Sequence, residues 1–319
     1  MQKKTIFIGA TGYEKYCTAG RELLLKAGYS LIENKKGRPY TAEELKEIGK
    51  DISGVISGCE VWNEETISAA PGLKVIVKFG VGYDNIDLEA AKRHGVQVAN
   101  CPGMNSIAVA EQAIALLLAC MREIPALDRS VREGGWERRV FPEICGSVFG
   151  ILGFGATGRA IAERVKAFGA TVIAYDKFPD ALRAEQMGVR MCTLEEVLET
   201  ADIISINLPA LPETLHLINE KTIEKMKDGV VLVNTARGVL ADEKAVASAL
   251  QSGKIYAYGS DVYEQEPMNG KSPLAACKNA VLSPHLAGES LNSYAKIGRA
   301  TAEAVNAVLS GKELLHRLV

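Results

Sequence analysis

Three polar side chains that can bind an acid and move a proton stand in order in the last third of the sequence. Arg237 follows the apolar run GVVLVNTA, Glu266 follows a run that ends in SDV, and His285 follows AVLSP. A guanidinium binds a carboxylate through two parallel hydrogen bonds, and a histidine exchanges a proton near neutral pH. A carboxylate paired with the imidazole favours its protonated form and fixes its tautomer. The three residues predict an acid/base site with an anchor for an anionic substrate.

These residues follow predicted strands. Short apolar runs alternate with helical patterns along the whole chain, which is typical of parallel sheets built from βαβ units. In such sheets ligands bind outside the carboxyl ends of the strands, so residues that follow strands are expected to face one crevice. Taken singly, Arg237 could bind a backbone carbonyl, and Glu266 could be solvated in its charged turn. The ordered triplet is the stronger indication.

Two series of strands are predicted. The first comprises TIFIG, the stretch around Tyr29–Ile32, Gly54–Ser57, Leu73–Val77 and Val96–Ala99. The second has about six strands in about 140 residues, the size of a complete nucleotide-binding sheet: VFGIL, TVIAYD, ADIISINL, GVVLVNTA, IYAYGSDV and NAVLSPHL. Between the series, residues 105–121 predict a helix that is apolar nearly all round and therefore buried, either in a core or between subunits. The chain from Glu289 onward predicts one long helix and a short tail.

A glycine-rich turn joins the strand VFGIL to a helix. It reads Gly153-Phe154-Gly155-Ala156-Thr157-Gly158. In a dinucleotide-binding loop the first glycine allows a tight turn, the second lets the backbone approach the pyrophosphate, and the third lets the helix pack on the strand. The helix N-terminus attracts the anion.

An acid follows at the position that a dinucleotide-binding fold requires. Asp176 ends the strand TVIAY, eighteen positions past Gly158, where an acidic side chain binds the adenosine ribose hydroxyls. A carboxylate there repels a ribose 2′-phosphate, so NAD is expected rather than NADP. The adjacent Lys177 works against that preference.

Composition sets the class of protein. The 319 residues suggest about two domains at roughly 150 residues each. Lys and Arg total 37 against 39 Asp and Glu, for a net charge of -2, so no basic field exists for nucleic acid or anionic lipid. The seven cysteines lack the spacing of metal or redox pairs, so reduced thiols and no metal site are expected. No signal peptide or membrane span is recognised, and a soluble cytoplasmic protein is expected.

Several strings together resemble the D-isomer-specific 2-hydroxyacid dehydrogenases, and among them the phosphoglycerate dehydrogenase-like branch. Between Lys78 and Gly288 these strings are FGVGYDNIDLEAA, MNSIAVAEQAIALLLA, GILGFGATGRAIA, NLPALPET, VVLVNTARGVLADE, SDVYEQEP and LSPHLAG. The resemblance implies an α/β protein with two hinged parallel-sheet domains. A Rossmann NAD-binding domain (residues 101–288) would be inserted into a flavodoxin-like substrate-binding domain (residues 1–100 and 289–319).

The resemblance also implies roles for individual residues. His285 would be the acid/base, Glu266 its partner and Arg237 the substrate anchor. Further substrate contacts would come from Lys78, Val81, Gly82 and Asn105. Cofactor contacts would come from a larger set: Gly153, Phe154, Gly155, Ala156, Thr157, Gly158, Asp176, Leu208, Pro209, Thr214, Thr235, Ala236, Asp261 and Gly288. A homodimer, paired through the region of the apolar helix, is implied as well.

The expected reaction is the NAD-dependent interconversion of a 2-oxo acid and an (R)-2-hydroxy acid. Alternatives are 3-phosphoglycerate dehydrogenation and hydroxypyruvate or glyoxylate reduction. Phosphoglycerate is less favoured, because Ser57 and Lys78 stand where phosphoglycerate dehydrogenases tend to carry arginines for the phosphate. An NAD-sensing corepressor without catalysis is the alternative of another class, although the complete triplet argues against it. Formate oxidation is a remoter alternative, because formate-oxidising relatives carry Gln at the position of Glu266.

Overall fold

The computed structural model describes Lys4–Val319; residues 1–3 of the predicted first domain lie outside the described residues. The chain divides into two compact units. Unit 1 comprises Met1–Asn105 and Gly288–Val319, and unit 2 comprises Ser106–Ala287. The division falls within a few residues of the predicted domain boundaries and places Asn105 and Gly288 in unit 1. Which ligand each unit binds stays a prediction at this point.

The described chain contains strands and helices that alternate from end to end. The strands are β1 (Thr5–Ile8), β2 (Ser30–Glu33), β3 (Ile52–Ser57), β4 (Val75–Lys78), β5 (Gln97–Ala99), β6 (Val148–Leu152), β7 (Thr171–Tyr175), β8 (Arg190–Met191), β9 (Ile203–Ile206), β10 (Val230–Asn234), β11 (Ile255–Ser260) and β12 (Ala280–Leu282). The helices are α1 (Tyr13–Tyr16), α2 (Thr18–Lys26), α3 (Ala42–Gly49), α4 (Glu64–Ser68), α5 (Leu88–Arg93), α6 (Ser106–Met121), α7 (Ile124–Arg132), α8 (Ala156–Ala167), α9 (Ala181–Gln186), α10 (Leu194–Thr200), α11 (Glu220–Lys225), α12 (Glu243–Ser252) and α13 (Leu291–Leu309). Short 3-10 turns cover Gly238–Leu240 and Pro273–Ala276.

Unit 1 is built on a parallel sheet in the order β2-β1-β3-β4-β5. This is the order of flavodoxin-like folds, and the predicted α/β class with two parallel sheets is confirmed. In the sequence, Thr41 followed by Glu44 has capping-box spacing and Asp87 precedes a helical pattern, so both are predicted helix starts. In the structure the capping box starts α3 and the Asp87 side chain caps α5. The predicted tail after α13 is held beside β5, where the Leu318 N–H donates to the Val98 carbonyl at 2.7 Å.

Unit 2 is built on a second parallel sheet, in the order β12-β11-β10-β9-β6-β7-β8. Six of its strands are those predicted. The seventh, β8, was not predicted because its two residues are too short for any periodic pattern, and it pairs only at the edge, with β7. The sheet places the carboxyl ends of β6, β7, β10, β11 and β12 along one edge.

Helix α6 is the helix predicted to be apolar nearly all round, and one face of it is buried inside unit 2. Its buried residues include Ala110, Leu116 and Leu117. A Cβ added to Gly259 in β11 would lie 3.0 Å from the Leu116 Cβ, so helix and sheet are in close contact. Ile107 is 47% exposed. Core packing therefore accounts for the buried face of α6. Among the described residues, no helix combines the length and apolar character that a bilayer crossing requires.

Helices α2 and α13 of unit 1 meet at two glycines. A Cβ on Gly20 would lie 2.2 Å from the Gly298 carbonyl oxygen, and a Cβ on Gly298 would lie 2.4 Å from the Cys17 Cβ. The Tyr13 hydroxyl donates to the Gly298 carbonyl at 2.7 Å. Helix α13 thus packs on α2 through close backbone contact, which a residue larger than glycine at Gly20 or Gly298 would prevent.

We expect Gly298→Ala to destabilise unit 1 by about 1–3 kcal/mol through overpacking, although alanine favours helix by about 1 kcal/mol. Urea unfolding followed by the fluorescence of Trp62, which is fully buried in unit 1, measures this in a Trp136→Phe background. Ala295→Gly, on the exposed side of α13, is the control and should cost only about 1 kcal/mol. Wild-type stability in Gly298→Ala would contradict the close packing.

Candidate active site

The three glycines of the loop after β6 have different surroundings. Gly153 has φ 98°, and a Cβ there would lie 2.7 Å from the Asn207 backbone. A Cβ on Gly158 would lie 2.1 Å from the Gly153 carbonyl oxygen, whereas a Cβ on Gly155 would have nothing within 4 Å. Gly153 and Gly158 are therefore needed by the protein itself. The open space at Gly155 would let the pyrophosphate of a ligand lie close to the protein backbone.

The start of α8 faces this open space. Gly155 is the N-cap and provides no side-chain hydrogen bond, and the first N–H groups of a helix have no intrahelical acceptor. Together with the helix dipole they attract an anion. The Phe154 side chain is buried in the core of unit 2, so at this predicted cofactor position only the backbone can face a ligand.

Asp176 lies directly after β7 and is bound to the glycine loop. Its Oδ2 accepts from the Phe154 N–H at 2.8 Å, and its Oδ1 accepts from the Phe178 N–H at 2.9 Å. The neighbouring Lys177 ammonium is paired with Glu213 at 2.6 Å. The positive charge that would favour a 2′-phosphate is therefore partly neutralised, which supports NAD over NADP.

Other predicted cofactor residues line the ends of β9 and β10. The Thr214 hydroxyl donates to the Pro209 carbonyl at 2.7 Å and so closes its own loop, while the Leu208 side chain is buried. Thr235 follows β10 and is 8% exposed, and among the described residues its Oγ1 is a buried side-chain oxygen without a hydrogen-bond partner. Buried polar atoms are normally satisfied. The orphaned hydroxyl and the space at Gly155 fit a bound dinucleotide.

His285 and Glu266 form a close pair. The His285 Nδ1 lies 2.5 Å from the Glu266 Oε2, and the Glu266 Oε1 accepts from the Tyr263 N–H at 3.0 Å. Burial by itself raises the Glu266 pKa, but the hydrogen bonds from His285 and Tyr263 and the charges of His285 and Arg237 hold that pKa below its ordinary value. An ionised Glu266 assigns the imidazole proton to Nδ1 and leaves Nε2 to exchange a proton with a ligand.

The His285 backbone is held by Asp261, which directly follows β11 and is fully buried. Its carboxylate accepts from the Ser283 hydroxyl at 2.6 Å, the Leu286 N–H at 3.0 Å and the Ala287 N–H at 2.7 Å. His285 itself has φ 50°, a left-handed conformation uncommon for a non-glycine residue and frequent at functional sites. The sequence predicted a cofactor contact for Asp261, which stays a prediction; its anchoring of the His285 loop was not predicted.

Arg237 is positioned by a buried asparagine at the end of β10. The Asn234 side chain donates to the Arg237 carbonyl at 2.9 Å and accepts from the Ala236 N–H at 3.0 Å. The Arg237 guanidinium donates to the Ala236 carbonyl at 2.7 Å and is near enough to lower the Glu266 pKa. The structure thus brings together the three residues of the predicted triplet. The role of Asn234 was not predicted. Its only signal in the sequence is a polar side chain at the end of an apolar strand.

The predicted substrate residues of unit 1 lie at the carboxyl edge of its own sheet. The Lys78 ammonium donates to the Gly58 carbonyl and, at 2.9 Å, to the Asn85 side chain. Val81 is 38% exposed. Asn105 lies against Gly288, where a Cβ would come within 2.9 Å of the Asn105 Nδ2. Substrate binding by Lys78, Val81, Gly82 and Asn105 stays a prediction.

Comparison with known proteins places this site in a family. Residues 114–287 match the model of the D-isomer specific 2-hydroxyacid dehydrogenase, NAD binding domain. The chain belongs to the D-isomer specific 2-hydroxyacid dehydrogenase family. Unit 2 therefore contains an NAD-binding domain. Among the described residues, no group of three or more His, Cys, Asp or Glu side chains could hold a metal ion.

Three relatives show the range of the family. A D-3-phosphoglycerate dehydrogenase of Archaeoglobus fulgidus is 42% identical over 86% of this chain, which spans only 52% of that longer protein. A glyoxylate reductase of Korarchaeum cryptofilum is 38% identical, over 87% of this chain and 86% of its own. The crystal structure of an Aquifex aeolicus D-lactate dehydrogenase complexed with NAD and lactic acid has a TM-score of 0.84 at 28% identity, covering 97% and 96% of the two chains.

The glycine loop gives a prediction that separates binding from folding. Gly155→Ala should change stability by no more than about 1 kcal/mol, the scale of an N-cap substitution, because φ is -73° and the Cβ meets nothing. It should nevertheless raise the Kd for NADH about tenfold or more, a cost of ~1.4 kcal/mol. Gly158→Ala should destabilise the fold through its clash with the Gly153 carbonyl. NADH fluorescence titration and thermal unfolding measure the two effects. Unchanged NADH affinity in Gly155→Ala would contradict this assignment.

Proposed function

We propose that the protein is an NAD-dependent oxidoreductase that interconverts a 2-oxo acid and an (R)-2-hydroxy acid. The observation that carries the proposal is the 2.5 Å contact between the His285 Nδ1 and the Glu266 Oε2, at the same sheet edge as Arg237 and the glycine loop. Family membership and the NAD-binding domain support it. The names of the relatives, which include a D-3-phosphoglycerate dehydrogenase and a glyoxylate reductase, agree with it.

The chain's own residues supply binding and proton transfer. When NADH is bound, it supplies the hydride. Arg237 binds the substrate carboxylate with its planar guanidinium. Protonated His285 gives the Nε2 proton to the carbonyl oxygen during reduction and takes it back during oxidation. Glu266 holds the Nδ1 proton and stabilises the imidazolium.

Short 2-oxo acids without a phosphate, such as glyoxylate and hydroxypyruvate, are the substrate class we favour over 3-phosphoglycerate. Of the two positions discussed for phosphate binding, Ser57 is fully buried. The other, Lys78, already donates to Gly58 and Asn85. A phosphate dianion would have to compete with those bonds for the single ammonium. The complete triplet also favours an enzyme over an NAD-sensing corepressor.

We also propose a homodimer and a cytoplasmic location. The dimer would use exposed apolar side chains of α7 and the segment after it: Val131 is 53% exposed, Trp136 83% and Val140 99%. Contiguous exposed apolar surface marks interaction sites, and α6 keeps most of its apolar residues inside unit 2. All seven cysteines are free thiols, as in proteins of reducing compartments.

A substrate panel tests the activity. We expect nicotinamide absorbance to show turnover of NADH, in preference to NADPH, with non-phosphorylated 2-oxo acids. His285→Ala should lower kcat about 10²–10⁴-fold through loss of the general acid while NADH affinity is kept. His316→Ala, in the exposed tail, is the control. Normal turnover in His285→Ala would overturn the mechanism, and a clear preference for 3-phosphoglycerate would overturn the substrate class.

Light scattering after size-exclusion chromatography tests the dimer. Trp136→Glu should convert a dimer into a monomer, because a buried unpaired carboxylate is costly at an interface. Leu182→Glu, a 67% exposed position on α9, should leave the mass unchanged. A monomeric wild type, or a Trp136→Glu protein with the wild-type mass, would contradict the proposed interface.

A further inference from the structure

Two glutamates outside the triplet bind each other's backbone. The Glu243 Oε1 accepts from the Glu264 N–H at 2.9 Å, and the Glu264 Oε1 accepts from the Glu243 N–H at 3.1 Å. The second Glu243 oxygen accepts from the Ser272 hydroxyl at 2.5 Å. The exchange of bonds is reciprocal, and we name this pair, Glu243 with Glu264, the carboxylate brace.

The brace joins the two segments that carry Arg237 and Glu266. Glu243 begins α12, which follows the 3-10 turn after Arg237, and Glu264 lies two residues before Glu266. The segments are in backbone contact, because a Cβ on Gly238 would lie 1.9 Å from the Tyr263 carbonyl carbon and 2.5 Å from the Glu264 nitrogen. The Tyr263 N–H is therefore held by the Glu266 carboxylate, and the next N–H along the chain, that of Glu264, is held by the Glu243 carboxylate.

Helix capping does not explain the burial of Glu243. The N-cap of α12 is Asp242, whose side chain accepts from the Lys244 and Ala245 N–H groups. Glu243 is only 8% exposed, and burying a carboxylate is costly unless it is hydrogen-bonded. The bonds that offset this cost go to Glu264 and Ser272, away from the helix.

We propose that Glu243 and Glu264 are positioning residues for the active site, fixing the separation and orientation of Arg237 and Glu266. This inference rests on the proposed function for its kinetic consequence. A third segment meets the brace at His216, whose Nε2 lies 3.3 Å from the Glu264 Oε1. The His216 N–H donates to the Val239 carbonyl at 2.8 Å, so its loop is attached to the same 3-10 turn.

The brace acts through the backbone of Tyr263 and Glu264. If Glu243 offers no acceptor, the Glu264 N–H loses its partner and the backbone of these two residues can shift as a unit. The Tyr263 N–H then moves relative to the Glu266 Oε1, which it holds at 3.0 Å, and Glu266 moves relative to His285. The proton-transfer geometry at His285 is disturbed, although neither brace residue is a member of the triplet.

The decisive variant is Glu243→Met, which keeps the length of the side chain and removes both acceptor oxygens. We expect kcat to fall about ten- to a hundredfold, as for a small misplacement of catalytic groups, with NADH affinity unchanged. Glu243→Gln should restore most of kcat, because its amide oxygen can still accept from the Glu264 N–H. Ser272→Ala removes the other bond of Glu243 and the cap that Ser272 gives to the Leu274 N–H, but leaves the Glu264 N–H bonded to Glu243, and should keep kcat.

A second measurement needs no turnover. A proton shared between the His285 Nδ1 and a carboxylate 2.5 Å away should give a strongly downfield NMR signal, assignable with His285→Ala among the four histidines. The signal should broaden or move upfield in Glu243→Met and remain in Ser272→Ala. If the wild type reduces no 2-oxo acid, the proposed function fails, while this signal still tests the brace.

A second brace variant covers the case in which Glu243→Met does not fold. Glu264→Ala replaces a partly exposed side chain and removes only the bond from the Glu243 N–H. It should change kcat and the Nδ1 signal in the same direction as Glu243→Met but less, because the N–H of residue 264 keeps its Glu243 acceptor. Where Glu243→Met folds, the losses in the double variant should be smaller than the sum of the two, because the residues act as a unit. Glu224→Gln, an exposed position on α11, is the matched control. Wild-type kcat and an unmoved signal in either brace variant, or losses in Ser272→Ala as large as those in Glu243→Met, would overturn the proposal.

Discussion

Every strand of unit 2 pairs in parallel with its neighbours, so β6, β7, β10, β11 and β12 all end at the same edge of one sheet. The site depends on this constraint. Asp176, Arg237 and His285 are far apart in the chain, yet each follows a strand and therefore emerges at that edge. An antiparallel arrangement would send half of them to the opposite edge. The parallel strand order by itself thus brings these residues to one edge, whatever contacts their side chains make.

Buried polar groups then set the details. The fully buried Asp261 carboxylate accepts three hydrogen bonds from the loop of His285, and the buried Asn234 side chain makes two to the loop of Arg237. A hydrogen bond to a charged group contributes about 1.5–3 kcal/mol, and an unsatisfied buried group costs as much. These loops consequently have few alternative conformations. The side chains of His285 and Glu266 are 48% and 35% exposed and can therefore meet a ligand. Asp261 and Asn234, which hold the backbone of these loops, are fully buried.

The parts of the fold that were predicted from the sequence are those with a local signature. The glycine loop, the capping of α3 and α5 and six strands of the second sheet each depend on residues close together in the chain. Strand β8 has no such signature because it is two residues long and gains its hydrogen bonds from β7. The apolar helix α6 shows a related limit. Composition predicts burial, but only the packing against β11 shows which part of its surface is covered.

The sequence by itself determined the α/β class, the dinucleotide loop with its acid, and the triplet of Arg237, Glu266 and His285. The first two depend on residue types close together in the chain, and the triplet depends on polar residues that follow apolar strands. Only the tertiary structure decided that Asp261 anchors the His285 loop, that Lys177 is paired with Glu213, and that Glu243 and Glu264 hold each other's backbone. Those contacts join residues more than twenty positions apart, and apart from the Lys177–Glu213 ion pair and the Ser283 hydroxyl they are made through backbone N–H groups. A backbone N–H is the same in almost every residue, so the sequence carries no mark of which carboxylate it will meet.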